Sequence, residues 1–556
     1  MPCYFAQFFQ QCLAFKSESP EVGSTFGVKM RTKFFCIVLF LICSLPVLVH
    51  AQFTFTTNSD QSLNIYQYTG PGGDVIIPDT TNEVPITSIG SDAFYQDYTL
   101  TSVIIGTNVT TIGANAIFQC PALVSVTIPA SVTNIGSGPF IDCLSLSTIS
   151  LSASNRYFFS TNQILFNKTQ TSLIEFPGGV GGGYTNAAAI TNIGQAFIGN
   201  SLTNISANSA NLYFYSTNGV LFTKNQKILV EYPGGASGSY AVPVIVTNIE
   251  SAAFEYSAGV SSVSIGTNVA GIGNYAFYDC SALTAISVNS TNQYFSATNG
   301  VLFDKKQTQL IQYPSGLAGS YSVPGTVTNL ENGAFGDAFG LTSVVIPDSV
   351  TSIGTETFYS CENLANVSLG NNVVNIGQEA FYYCTSLSEI AIPNSTTNIA
   401  QLAFYYCPSL TSVTFGAGLK TIGQEAFAGC EYLTNACFAG DEPVDGGSIF
   451  YYDYSLPTIL YISGTTGWGA TYDGIATAPC AECGNGAPIL TVIRSGTHVL
   501  LTWSSDYTGF TLQSTTNLNP AGIWNNVSPA PVIIKGLNTV TNSISGKQNF
   551  YRLMSP

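Results

Sequence analysis

Leu341-Thr-Ser-Val344-Val-Ile346-Pro347-Asp-Ser-Val350-Thr-Ser-Ile353-Gly354-Thr-Glu-Thr-Phe358-Tyr-Ser-Cys361 is the stretch that decides the fold. Leu341, Val344 and Ile346 have the spacing of a short strand that turns alternate side chains inward. Pro347 cannot donate to a strand ladder and ends it. Val350 and Ile353 form a second inward-facing segment, Gly354 permits a turn, Phe358 plugs the coil and Cys361 closes it. The unit then repeats. Phe335, Phe358, Phe381, Phe404 and Phe427 lie 23 residues apart, and so do Cys361, Cys384, Cys407 and Cys430. Leu341, Leu364, Leu387, Leu410 and Leu433 keep the same step, and Ile117 with Phe140, Cys120 with Cys143 and Phe254 with Phe277 extend it upstream. A single coil cannot bury its apolar side, whereas stacked coils share one continuous core with strands roughly 4.8 Å apart. About eleven units run from the one containing Phe94 to the one containing Phe427.

Three segments break the period in the same way: 155–179, 211–235 and 292–316, each beginning at an Asn (Asn155, Asn211, Asn292). The second reads Tyr213-Phe-Tyr-Ser-Thr-Asn218-Gly219-Val-Leu221-Phe222, then Ile228-Leu-Val-Glu-Tyr232-Pro233. An aromatic strand, an Asn-Gly turn, an apolar strand and a further strand ending at Pro predict an inserted β-hairpin.

The run Val-Thr-x-Ile-Gly-x-x-Ala-Phe-x-x-Cys-x-x-Leu-x-x-Val-x-Ile-Pro, carried by residues 87–436, resembles the BspA-type leucine-rich repeats, as do the hairpin insertions. The resemblance implies a mainly β, right-handed leucine-rich-repeat solenoid. Its parallel sheet would line the concave face, with short turns or helical turns between strands. It also implies a bacterial surface or secreted protein that recognises other molecules.

Residues outside the array complete the layout. Met30-Arg31-Thr32-Lys33, the apolar run Phe34–Leu48 and Val49-His50-Ala51 read as a signal peptide cleaved near Ala51-Gln52. Residues 1–29 then read as a gene-model extension, and 30–51 as the leader. Residues 52–86 are expected to cap the N-terminal end, and 437–484 to cap the other end where the repeat signature fades. Short alternating strands in 485–556 predict a small β-sandwich of the fibronectin type III or immunoglobulin kind.

Composition narrows the chemistry. The full chain carries a net charge of −16 and only 8% charged residues. Without residues 1–51, eleven basic and 29 acidic residues remain, a net −18. Such a chain repels phosphate backbones, which argues against nucleic acid. Of two histidines, His50 leaves with the leader and His498 falls in the tail. No Ser-His-Asp, Cys-His or His-based metal set can be assembled in the solenoid. No cofactor is expected.

The remaining candidates are stripes generated by the repeat. Cys120, Cys143, Cys280, Cys361, Cys384, Cys407 and Cys430 share one position and read as an inward ladder of thiols, with stacked disulfides as the alternative. Cys437 is expected to bridge to Cys480 or Cys483 in an oxidising compartment. Glu356 and Glu379 occupy equivalent places on adjacent coils, as a solvated stripe or as paired carboxylates. Tyr278, Tyr359, Tyr382 and Tyr405 each follow the plug, with Tyr383 and Tyr406 next. These tyrosines offer an aromatic binding surface or a cover for neighbouring coils. The outward strand positions (Ile104, Thr127, Ser264, Val345, Ser368, Ala391, Thr414) are uncharged.

Together these features predict a monomeric, non-catalytic, secreted or surface-held protein that binds an extracellular protein or polysaccharide. The alternatives are an envelope spacer held by its C-terminal module and, more remotely, a glycoside hydrolase using carboxylates alone.

Overall fold

A 23-residue period fixes one rung of sheet per unit, and the ladders show it directly. The computed structural model describes residues 53–480 and, in the tail, 490–495, 498–504, 511–516, 524–528, 530–534, 537–543 and 550–554. The expected leader, residues 1–29 and Cys483 lie outside the described residues. Among those described there is no helix; every regular element is a strand.

Two parallel ladders run along the array. In the longer one, Leu341–Val345, Asn366–Ser368, Glu389–Ile392 and Ser412–Phe415 are successive rungs. Val344 pairs with Val367, and Ile390 with Val413. The second ladder is two residues wide: Ile353 pairs with Ile376, Ile376 with Ile399, and Ile399 with Ile422. Between the ladders sits the column of plugs. Phe335, Phe358, Phe381, Phe404 and Phe427 stack with ring centroids 4.7, 5.0, 4.9 and 4.8 Å apart, the spacing of neighbouring strands. Leu364, Leu387, Leu410 and the plugs are fully buried, so the motif that defines the repeat is its core.

The hairpins are not excursions from this core. In the second, Phe214–Thr217 and Val220–Thr223 pair antiparallel, and Ile228–Glu231 then pairs in parallel with Asn248–Ile249 of the narrow ladder. Gln309–Gln312 joins Asn329–Leu330 in the same way, and the first hairpin does so through the bridge Ser172–Asn192. The aromatic residue before each Pro then takes the plug position. Tyr232 stacks on Phe254 at 4.9 Å, Tyr313 on Phe335 at 5.1 Å, and Phe176 lies 5.7 Å from Phe197. Each insertion is therefore an enlarged coil rather than an interruption.

The ends extend the same logic. Leu63–Tyr68 is covered by the antiparallel strand Phe53–Thr57, pairs in parallel with Val84–Ile89, and supplies the first plug, Tyr68, stacked on Phe94 at 5.0 Å. Beyond residue 436 the sequence signature fades but the sheet does not. Asn435–Phe438, Ile459–Ile462 and Ile475–Cys480 continue the long ladder, and Phe450 continues the plugs. Residues 437–480 thus extend the sheet of the solenoid toward its C-terminal end. Backbone pairing persists where the side-chain signature is lost, because only the apolar pattern has to be kept. Among the described residues of the tail, seven strands form two antiparallel sheets. One contains Thr491–Ser495, His498–Ser504, Leu537–Ser543 and Val532–Ile534; the other contains Asn525–Asn526, Thr511–Thr515 and Phe550–Met554. Trp503, Leu501, Leu512 and Val540 are its buried centre.

Candidate functional site

The plug turn is where the repeat presents its variable side chains, and its backbone explains which residues stand there. In the coils of Phe335, Phe358, Phe381, Phe404 and Phe427 the residues two before and two after the plug adopt positive φ. Around Phe358 these are Glu356 (φ 54°) and Ser360 (φ 51°), and around Phe381 they are Glu379 (φ 54°) and Tyr383 (φ 57°). Gly354, by contrast, is not in this region. Its kind is required for close approach: a Cβ on the next glycine of the column, Gly377, would stand 2.6 Å from the Gly354 carbonyl carbon. The expectation that Gly354 supplies the turn is corrected on this point.

The seven repeat cysteines are free and buried. Each thiol donates to the backbone carbonyl of the plug one coil earlier: Cys361 to Phe335 at 3.1 Å, Cys384 to Phe358 at 3.2 Å, Cys407 to Phe381 at 3.2 Å, with Cys120, Cys143, Cys280 and Cys430 alike. Burial pushes the Cys280, Cys384 and Cys430 thiols well above the usual thiol range, so they are poor nucleophiles. Cys437 and Cys480 are disulfide-bonded.

The tyrosine stripe divides into two parts. Tyr278, Tyr359 and Tyr382 are only 5%, 5% and 7% exposed, so they offer no open binding surface. The cause is a contact of the chain with itself. Turns of the first coils meet turns of the later coils: Tyr95 approaches Tyr382 edge-on at 6.1 Å, and Gln119 Nε2 donates to Tyr256 Oη at 3.0 Å. Tyr95 packs into the cluster of Tyr278, Tyr359 and Tyr382, while Phe118, Ile141, Ile198 and Tyr256 form a second apolar cluster. Glu356 also belongs to this junction. Burial first, and then the neighbouring Glu379, raises its carboxyl to about 7.

Toward the C-terminal end the stripe is open. Tyr383 stacks on Tyr406 at 4.5 Å and Tyr382 on Tyr405 at 5.0 Å. The next coil carries Ala428 and Gly429 at these positions, and the one after carries Tyr451 and Tyr452, 4.0 Å apart. Backbone bonds from Tyr406 to Ala428 and from Gly429 to Tyr451, both 2.8 Å, show that the three coils are immediate neighbours. The result is a notch floored by Ala428-Gly429, between two tyrosine ridges two strand spacings, roughly 9.6 Å, apart. Tyr406, Tyr451 and Tyr452 are 38%, 52% and 48% exposed, and Tyr432 and Tyr454 stand out further beside them. Tyr451, Tyr452 and Tyr454 escaped the sequence reading because the repeat signature has faded there, and Tyr432 because it stands at a loosely repeated outward place; the Tyr-Tyr doublet at 451–452 was the signal available.

Buried polar residues missed by that reading lie in the hairpins. Asn155, Asn211 and Asn292 open them and are 0–2% exposed. Asn211 Nδ2 donates to the carbonyls of Ala187 and Ile190, and its Oδ1 accepts from the amides of Tyr213 and Phe214, all at 2.8–2.9 Å. Glu175, Glu231 and Gln312 are equivalent, each opposite a core Leu. Burial holds both Glu carboxyls far above the normal carboxylate range. Gln312 supplies the neutral isostere, which fits protonated glutamic acids in the other two hairpins. Among the described residues no group of three or more His, Cys, Asp or Glu could hold a metal ion, and no helix is long and apolar enough to cross a membrane.

Parallel ladders with a short inward Leu-x-x-Val-x-Ile strand and a plugged turn define a leucine-rich-repeat solenoid. The family model for the BspA-type leucine-rich repeat region matches residues 87–218, 239–322 and 319–434 in six copies, and the chain belongs to that family. Similar solved structures include a leucine-rich cell surface protein from Faecalibacterium prausnitzii (27% identity, 70% of this chain and 94% of that one, TM-score 0.38). A leucine-rich-repeat protein from Eubacterium ventriosum shares 20% identity over 77% and 98% of the two chains, with a TM-score of 0.33. The pneumococcal vaccine antigen PcpA shares 18% over 74% and 85%, with a TM-score of 0.31. Superposition at this level adds no argument to the family assignment. No curated protein matches the chain.

Proposed function

We propose that this chain is a non-catalytic recognition protein of the bacterial surface or exterior, and that it binds through the tyrosine-walled notch of its C-terminal coils. The observation that carries this reading is the exposed tyrosine array on successive coils. The backbone sets the separation of the rings, so little entropy is lost when a partner docks. Rigid tyrosines that combine an apolar face with a hydroxyl suit an extracellular polysaccharide or protein. Family membership supports a surface role. Binding of the mature chain to a glycan array and to a panel of extracellular proteins, with Tyr406→Ser/Tyr452→Ser as comparator, tests it.

A second reading, a spacer held by its tail, is favoured by the tail's strand order. Its described strands form one four-stranded and one three-stranded antiparallel sheet, which supports reading it as a small separate sandwich. We propose that this module provides attachment. Loss of cell association on deletion of residues 485–556 is the expected outcome.

A further inference from the structure

The junction that buries Tyr278, Tyr359 and Tyr382 is built from acids. The first coils contribute Asp92 and Asp142. The later coils contribute Glu255, Asp279, Asp337 and Glu356. The charged groups that act on these six are other carboxylates of the same set together with Glu362 and Glu379, and the remaining titratable neighbours are tyrosines and the buried thiols of Cys280 and Cys361. Tyr98 faces Asp142, Asp337 and Glu362; Tyr275 faces Glu356; Tyr278 reaches Asp337. All seven lysines and arginines of the solenoid lie elsewhere in the repeat: Arg156, Lys168, Lys224, Lys227, Lys305 and Lys306 in the hairpins, and Lys420 beside the narrow ladder.

The fit is also incomplete in its hydrogen bonds. The hydroxyls of Tyr95 and Tyr359, Gln96 Oε1 and Asp337 Oδ2 are buried there without a hydrogen-bond partner in the chain. Each polar group left unpaired opposes burial, which weakens the contact. The coils on either side do not depend on the contact, since each has its own ladders and plugs.

We propose that this junction is a pH-operated clasp. It is closed while the carboxyls of Asp142, Glu255, Asp279 and Asp337 hold their protons. It opens when they release them to solvent, uncovering Tyr278, Tyr359 and Tyr382 next to the tyrosine notch.

The direction follows from linkage. Burial raises Asp142 to about 7 and Glu255 to about 8, and holds Asp279 and Asp337 well above 3.8. In the open form these groups face water and return to ordinary values. A raised value in the closed form means that closure is fully favoured below about pH 4 and is lost as pH rises through about 7 to 8. Mutual repulsion among the ionised carboxylates, with no cation between them, drives the surfaces apart.

The clasp is independent of any ligand, so its test does not involve binding. Hydroxyl-radical footprinting of the full chain, in buffer with a chelator, compares Tyr359 and Tyr382 with the exposed Tyr454 at about pH 5.5 and about pH 8.5. The expected result is a labelling ratio that rises about threefold or more at the higher pH, as a mostly closed population becomes mostly open. Phe381 and Phe404 in the core stay protected throughout. Asp142→Asn/Asp337→Asn, which mimics two of the four protonated groups, shows a clearly smaller rise than the wild type. Glu255→Gln alone moves the midpoint to higher pH and serves if the double variant does not fold. A constant ratio in the wild type overturns the proposal. So does an equal rise in the Asn variant, or parallel labelling of Phe381, which would report unfolding.

Discussion

Asn211 makes every hydrogen bond its amide can make, two as donor to the preceding coil and two as acceptor from its own turn. Removing it takes the side-chain partner from the Ile190 carbonyl and from the Tyr213 and Phe214 amides inside the core, while the Ala187 carbonyl keeps its bond from the Ile190 amide. Asn211→Ala is therefore expected to lower stability by about 2–4 kcal/mol, read from chemical denaturation of the solenoid. The neighbouring carboxyl predicts the opposite sign. Glu231 has a raised value in the folded chain, so its contribution is present at acid pH and fades as pH rises. Glu231→Gln, which copies Gln312, is expected to raise the melting temperature at pH 8 and to leave it almost unchanged at pH 4. A loss of stability at pH 8 would show that the carboxylate has a partner. Neither role was legible in the sequence. Asn155, Asn211 and Asn292 were visible as the residues that open the hairpins, but an Asn before an aromatic strand looks like any turn residue. Glu231 looks like a solvated strand residue until the parallel pairing with the next coil covers it.

At the scale of the element, the plug turn determines most of what the sequence could and could not reveal. Its inward residues repeat strictly, because each must match the one a coil away; that strictness made the strands, the plugs and the thiol ladder readable. Phe381 stacks on Phe358 and Phe404 with interplanar angles of 10° and 5° and is fully buried. Phe381→Ala is expected to cost about 3–5 kcal/mol and to lower the cooperativity of unfolding by separating the coils on either side. Differential scanning calorimetry would resolve this as a broadened or split transition. The outward residues repeat only loosely, since the backbone asks of them just a positive φ on either side of the plug. Glu356, Glu379, Leu402 and Glu425 share that conformation, which accounts for a Leu within a row of Glu. The hairpins were legible as strands and turns. That their third strands would rejoin the narrow ladder, with Phe176, Tyr232 and Tyr313 as plugs, depended on pairings between residues far apart in the chain.

For the whole molecule, local periodicity and global contact part company. Repeats specify how a coil meets its neighbour, and nothing in a 23-residue signature states that Tyr95 meets Tyr382. This is why the tyrosine stripe, uniform in sequence, is buried in its middle and open toward its C-terminal end. The open part is where recognition is assigned, and the central claim stands or falls there. The most direct measurement is the affinity of the mature chain for the partner selected on glycan and protein arrays, compared with that of Tyr406→Ser/Tyr452→Ser. Loss of two exposed anchoring rings is expected to weaken binding at least tenfold, about 1.4 kcal/mol, while the melting temperature stays within a degree or two. Unchanged affinity in this variant, or binding that follows the tail when residues 485–556 are removed, would contradict the assignment of the notch as the binding site.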